Sequence, residues 1–268
     1  MFESGRKAGR VARIGVLACL ALLALCGAQI GTKGLARVAL AASPTPVNQA
    51  EAYFSERDDL DNVRHALTIL NQAVASSPQD YGAWWRIAEY DCYLARHLPS
   101  KQARRAIKQG VGAGRRAEVL QPNRPEGHFW TGVNEGLLAE DSSLLRALAL
   151  IDPVRDEMQT VMKLDPAYQQ YGAERVLGRL YYRAPFFKGG DKQLSIRLLE
   201  DCLRRCPNNS LTMLYLAESY EAVGRHKDAR CLFEKILSLA PDPGDGTDLA
   251  KDQAAARRDL QSNLNRAW

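Results

Sequence analysis

Arg175 and Arg179 stand four residues apart, a spacing that places both guanidinium groups on one face of a helix. Two such forks side by side could grip one carboxylate. The plainer reading is that they pair with Glu89, Glu174 or Glu218 as solvated charges. His128 sits beside Phe129 and Trp130, a setting that suits a hydrogen-bonded structural imidazole better than a base. His65, His97 and His226 are scattered through the chain. No His/Asp/Glu group has metal-ligand spacing and HExxH is absent, so no metal is expected. Cys202 and Cys206 are four apart, but no second ligand pair accompanies them. An oxidising compartment would allow a disulfide from Cys231 to Cys202 or Cys206; the alternative is small apolar packing, which suits Cys202. Gly110-Val-Gly-Ala-Gly114 has the glycine content of a dinucleotide loop, but it follows a basic helical stretch, 101–108, and no strand. It reads as helix packing or a helix break. No nucleophile elbow or phosphate-binding loop occurs, and neither an enzyme nor a cofactor is expected.

The elements that must position these residues are helices. From Ala50 to Trp268 the apolar residues follow helical periodicity, with no convincing alternating strand. Five helical segments end in proline: Pro78, Pro122, Pro166, Pro207 and Pro241, spaced 44, 44, 41 and 34 residues apart. Proline cannot continue a helix, so each one turns the chain into the next. The last spacing is the period of the tetratricopeptide repeat (TPR), and the longer ones are that period with insertions. The repeat over 210–243 carries Leu216, Ala217 and Tyr220 in its first helix, Gly224 at the turn, and Ala229, Phe233 and Ile236 in its second. An added short helix is expected near 142–151 inside the third repeat, and Ala184-Pro185-Phe186-Phe187-Lys188 is an insertion in the fourth. The first repeat pairs a helix near 48–55 with one near 61–76. A polar helix over about 247–267, capped by Thr247 or Asp248, closes the solenoid. The expected fold is all-α, a TPR-type α-solenoid of about four to five helix pairs with a C-terminal capping helix, over 48–243 and 244–268.

In such a solenoid the first helix of each pair lines the inner wall. The candidates for a ligand or partner groove are therefore Trp85, Glu89 and Tyr93, then His128, Phe129, Val133 and Asn134, then Arg175, Arg179 and Tyr182, then Glu218. An aromatic wall with a few charges fits a hydrophobic or acidic small ligand. Trp84, Trp85, Phe129 and Trp130 read, as a set, more as core than as a ligand platform.

The chain of 268 residues has 36 Lys+Arg against 31 Asp+Glu, yet the excess lies at its N-terminus. Residues 1–41 hold six basic residues and one acid, leaving 30 of each sign over 42–268. The charge balance thus argues against a basic nucleic-acid footprint on the folded part. Arg6 to Arg13 followed by the apolar run Ile14–Ala28 reads as an export signal or membrane anchor over 1–41, with 42–47 as linker. Cleavage after Ala28 and cleavage after Ala41 both fit, and Cys19 and Cys26 raise lipidation as a third reading. Export would place the body in the periplasm or another extracytoplasmic space.

Several stretches carry a resemblance to a known family. Pro125-Glu-Gly-His-Phe-Trp-Thr-Gly-Val-Asn134, Arg175-Val-Leu-Gly-Arg-Leu-Tyr-Tyr182 and Gly189-Gly-Asp-Lys192 resemble the TatT family, the T-components of TPR-associated TRAP transporters. Tyr53-Phe-Ser-Glu-Arg-Asp-Asp59 and Ala83-Trp-Trp-Arg-Ile-Ala88 fit the same pattern, so the resemblance spans about 48–242. It implies an exported, often lipid-anchored TPR protein that holds a small hydrophobic molecule and works beside a solute-binding protein. Two features depart from the family: the lipidation signal is poor, and Asp91 replaces the aromatic usual after Tyr90. A more distant similarity runs to the TPR regulators of microtubule dynamics. The alternative function is a TPR protein–protein interaction scaffold without a small ligand, and homo-oligomerisation stays open.

Overall fold

A computed structural model describes residues 44–241 and 246–266. The expected export segment, 1–41, lies outside the described residues. Among the described residues the regular structure is α-helical apart from one short 3-10 turn, Phe186–Lys188, and no strand occurs. The helices are α1 (Pro46–Ser55), α2 (Leu60–Ser76), α3 (Tyr81–Arg96), α4 (Ser100–Leu120), α5 (Pro125–Glu140), α6 (Leu144–Leu164), α7 (Tyr168–Arg183), α8 (Lys192–Arg205), α9 (Ser210–Glu221), α10 (His226–Ser238) and α11 (Gly246–Arg266). Among the described residues no helix is long and apolar enough to cross a membrane.

Local chemistry sets the punctuation. Asp59, Asp80, Asp191 and Asn209 each accept a backbone N–H at the start of the helix that follows, which satisfies a donor the helix cannot. Pro78, Pro122, Pro166 and Pro207 each stand two residues beyond the end of α2, α4, α6 and α8. The helices pair in sequence, α1 with α2 through α9 with α10, and the first helices of successive pairs pack side by side. Small residues set how closely the helices approach, within a pair and between pairs. A Cβ on Gly110 would lie 2.6 Å from Asn134 Oδ1, one on Gly114 2.4 Å from Thr131 Oγ1, and one on Gly178 2.6 Å from Leu199 Cγ. The glycine-rich stretch is therefore helix-packing surface inside one continuous α4. Tyr90, Met158, Leu199, Leu216 and Phe233 are among the fully buried large side chains that fill the space between pairs.

Three features differ from the sequence reading. The separate short helix near 142–151 does not exist: it is the first half of α6, which continues through Pro153. Proline removes one hydrogen bond, the one to the carbonyl of Ala149, an exposed residue of α6. α7 opens with a left-handed segment, Gln169, Gln170 and Tyr171 at φ of 51°, 53° and 59°, each costing about 1–2 kcal/mol against right-handed helix. Finally, Thr247 does not act as the cap of α11. Its backbone N–H and hydroxyl donate to Asp58 Oδ1, at 2.9 and 2.6 Å, so the capping carboxylate comes from the α1–α2 loop. Asp248 pairs with Arg96 at 3.2 Å, Lys251 donates to the Arg96 carbonyl, and Ser210 donates to Asp252 at 2.7 Å. The last helix thus packs on α9 and α10 while its polar side chains reach the first repeats.

Candidate functional site

A pocket of about 320 Å³ opens between α5, α6 and α7. Its walls are largely aliphatic. α5 supplies Val133, Gly136 and Leu137; α6 supplies Leu144, Leu148 and Ile151; α7 supplies Val176 and Leu180, and Pro185 and Tyr215 close the edge. The charged members are Glu140, Arg179 and Arg183.

Arg179 is heavily engaged. Its guanidinium bonds Glu218, lies 3.8 Å from Glu140, and stands 4.5 Å over the Tyr215 ring and 5.3 Å over that of Tyr182. Burial would lower its pKa, but the Glu218 charge, with Tyr215 and Glu140, outweighs that and raises it. The Tyr215 hydroxyl is pushed up by burial. Arg183, exposed at the rim, forms no ion pair among the described residues.

The predicted residues separate into three groups. Val133 and Arg179 line the pocket, and Glu218 and Tyr182 hold Arg179. Trp85, Glu89 and Tyr93 sit on α3, outside it. Arg86 stacks 4.1 Å over the Trp85 ring, and Tyr93 packs edge-on against Phe54 and beside His97. Burial pushes the Glu89 carboxyl up to about 7. The remaining residues lie away from the pocket. Phe129, 3% exposed, is core, edge-to-face with Trp130 and Tyr168. Asn134 donates to the carbonyls of Ala88 (2.9 Å) and Trp130 (2.8 Å). His128 is held between Glu157 and the Pro122 carbonyl.

The two-arginine clamp is not formed. Arg175 donates to the carbonyls of Gln170 and Gln169, at 3.2 and 3.3 Å, and so secures the left-handed segment. Nor is the disulfide: Cys202, Cys206 and Cys231 are free thiols. Cys202 is buried with its Sγ 3.6 Å from Thr212 Oγ1, whereas Cys231 is exposed.

Sequence reasoning missed the α6 wall and Arg183. A signal was present: Leu144, Leu148 and Ile151 recur at four and three residues, one apolar face of a helix.

No family model matches the chain, and no curated protein matches it in sequence. Solved structures do. TTC0263, a thermophilic TPR protein of Thermus thermophilus, superposes with a TM-score of 0.59 at 18% identity, over 79% of this chain and 96% of that one. PilW, a type IV pilus biogenesis factor, superposes with a TM-score of 0.54 at 19% identity, over 84% and 94%. The fold is a tetratricopeptide-repeat solenoid. At these identities the likeness is one of fold.

Proposed function

We propose that this chain is an exported TPR protein that holds a small apolar molecule bearing an acid group in the α5–α6–α7 pocket and works beside a partner protein, in the manner of a TRAP-transporter T-component. The carrying observation is the pocket itself: about 320 Å³ with largely aliphatic walls, and at its rim a cation, Arg183, that forms no ion pair among the described residues. That volume lies at the lower end of the range of small-molecule sites, and a few polar groups around an apolar wall orient a ligand. Arg183 is the better anchor for a carboxylate because Glu218 and Glu140 already neutralise Arg179. The resemblance in 125–134 and 175–182 supports the transporter role, and the basic-then-apolar start of the chain supports export.

Arg183→Ala is expected to weaken binding of a long-chain fatty acid by about tenfold, the loss of one charged hydrogen bond. Fluorescence displacement measures it. Unchanged affinity would remove Arg183 from the site. N-terminal sequencing of the secreted chain tests export, and an intact Met1 contradicts cleavage.

A second reading, a scaffold for a protein partner, is favoured by the pocket's edge. The pocket-lining Leu144 and Pro185 are each followed by exposed apolar residues, Leu145 at 81% and Phe186 and Phe187 at 92% and 76%. Exposed apolar groups of this size mark interaction surfaces. Both readings hold together if a solute-binding protein docks at the pocket mouth.

A further inference from the structure

Away from the pocket, three helices bring a different set of groups together: Glu118 of α4, His128 of α5 and Glu157 of α6. Their ligand-capable atoms all lie within 4.8 Å of one another. The neighbours of His128 dictate its protonation. Nε2 stands 2.9 Å from the Pro122 carbonyl oxygen, which only accepts, so Nε2 carries a hydrogen. Nδ1 stands 2.7 Å from Glu157 Oε2. A neutral ring would then turn its Nδ1 lone pair onto one carboxylate with a second beside it, which is repulsive. The place calls for a cation, either a proton on Nδ1 or a metal ion.

A proton answers only the Glu157 contact. Glu118 Oε1 is buried with no hydrogen-bond partner. Thr131 is 1% exposed, and its Oγ1 faces Glu118, whose carboxyl it holds down against the larger upward push of burial. One turn along α5, Glu135 is 2% exposed; Arg115 donates to its Oε1 at 2.6 Å, while Oε2 has no partner. Buried oxygens left in this condition are costly, and an ion held beside His128 would give the Glu118 oxygen the partner it lacks.

We propose that Glu118, His128 and Glu157 form a site for a divalent transition-metal ion, Zn²⁺ in the first instance, bound through His128 Nδ1 and one oxygen of each carboxylate. One imidazole and two carboxylates suit Zn²⁺, Mn²⁺ or Co²⁺, and the fourth position takes water. The Nε2–H bond to the Pro122 carbonyl is the outer contact that fixes a metal-bearing imidazole in the right tautomer. Tetrahedral Zn²⁺ ligands stand about 3.3 Å apart, so Nδ1 and Oε2 must separate by about 0.6 Å on loading. His128 and Glu157 side chains are 14% and 23% exposed, which lets an ion enter from solvent. Bound there, it would join α4, α5 and α6, the last two of which wall the pocket.

The test is calorimetric titration of the chelator-treated full chain with Zn²⁺ near pH 6.5, in two buffers of different ionisation enthalpy. One equivalent is expected to bind with release of a proton from Nδ1. His128→Ala and Glu118→Gln should each weaken binding by at least tenfold. Glu118→Gln leaves the His128–Glu157 contact in place, so circular dichroism of that variant should stay unchanged. No binding of Zn²⁺, Co²⁺ or Mn²⁺ to the wild type would overturn the proposal. So would affinity unchanged in Glu118→Gln and His128→Ala, which would place the ion elsewhere.

Discussion

Asp91→Asn is expected to stabilise the protein by about 3 kcal/mol near pH 8 and to flatten much of its pH dependence between about pH 4 and 7. Asp91 is 5% exposed, and among the described residues it has no hydrogen bond and no ion pair. Burial alone pushes its carboxyl up to about 7 from an ordinary 3.8. The folded chain therefore keeps a proton that the unfolded chain releases, and stability falls as pH rises through that window. About three pKa units correspond to about 4 kcal/mol, of which burying a neutral amide retains about 1. Glu89, also pushed up to about 7, has the same sign and leaves a residual slope in the variant. Urea unfolding at several pH values measures both effects. A wild type that gains stability from about pH 5 to 8 would contradict the argument.

Gly190→Ala is expected to cost about 3 kcal/mol and to disturb the pocket edge as well. A Cβ there would lie 1.9 Å from the Ala184 carbonyl oxygen and 3.0 Å from the Pro185 carbonyl carbon, both backbone atoms that cannot turn aside. The segment is folded back on itself: Gly190 N–H donates to the Pro185 carbonyl at 3.0 Å, and Asp191 N–H to that of Tyr181 at 3.0 Å. Ala184 and Pro185 line the pocket, so relieving the clash moves its wall. Gly112→Ala is the control. Its added Cβ meets nothing within 4 Å on the exposed side of α4, and helix propensity favours the change by about 1 kcal/mol. Thermal unfolding should show the two variants moving in opposite directions. Equal midpoints would contradict the steric reading.

The contrast between these sites shows where the sequence is legible. Helix pairs could be read because their signals are local: a proline past each second helix, and apolar residues at helical spacing. The arginine pair was placed on one helix correctly, yet its role was not visible. Arg175 serves carbonyls exposed by three left-handed residues, Gln169 to Tyr171, and none of them is glycine, the residue that announces such backbone. Pro153 disguised the first half of α6 as a separate helix and hid one pocket wall. Glu118, His128 and Glu157 come from three helices, so no short spacing links them. The polar face of α11 implied a solvated cap, whereas Asp58 and Arg96 receive it from far along the chain.

Binding of an apolar acid in the α5–α6–α7 pocket is the central claim, and Gly136 tests it most directly. Gly136 lines the pocket, and a Cβ there meets nothing within 4 Å, so a leucine side chain enters the cavity itself. Replacing a helical glycine also favours the fold by about 0.5–1 kcal/mol, which keeps lost binding distinct from lost structure. The measurement is native mass spectrometry of the wild type and Gly136→Leu, each equilibrated with a long-chain fatty acid. A one-to-one adduct on the wild type, absent from the folded variant, is the predicted result. A wild type that carries no adduct, or a variant that carries it equally, would contradict the claim.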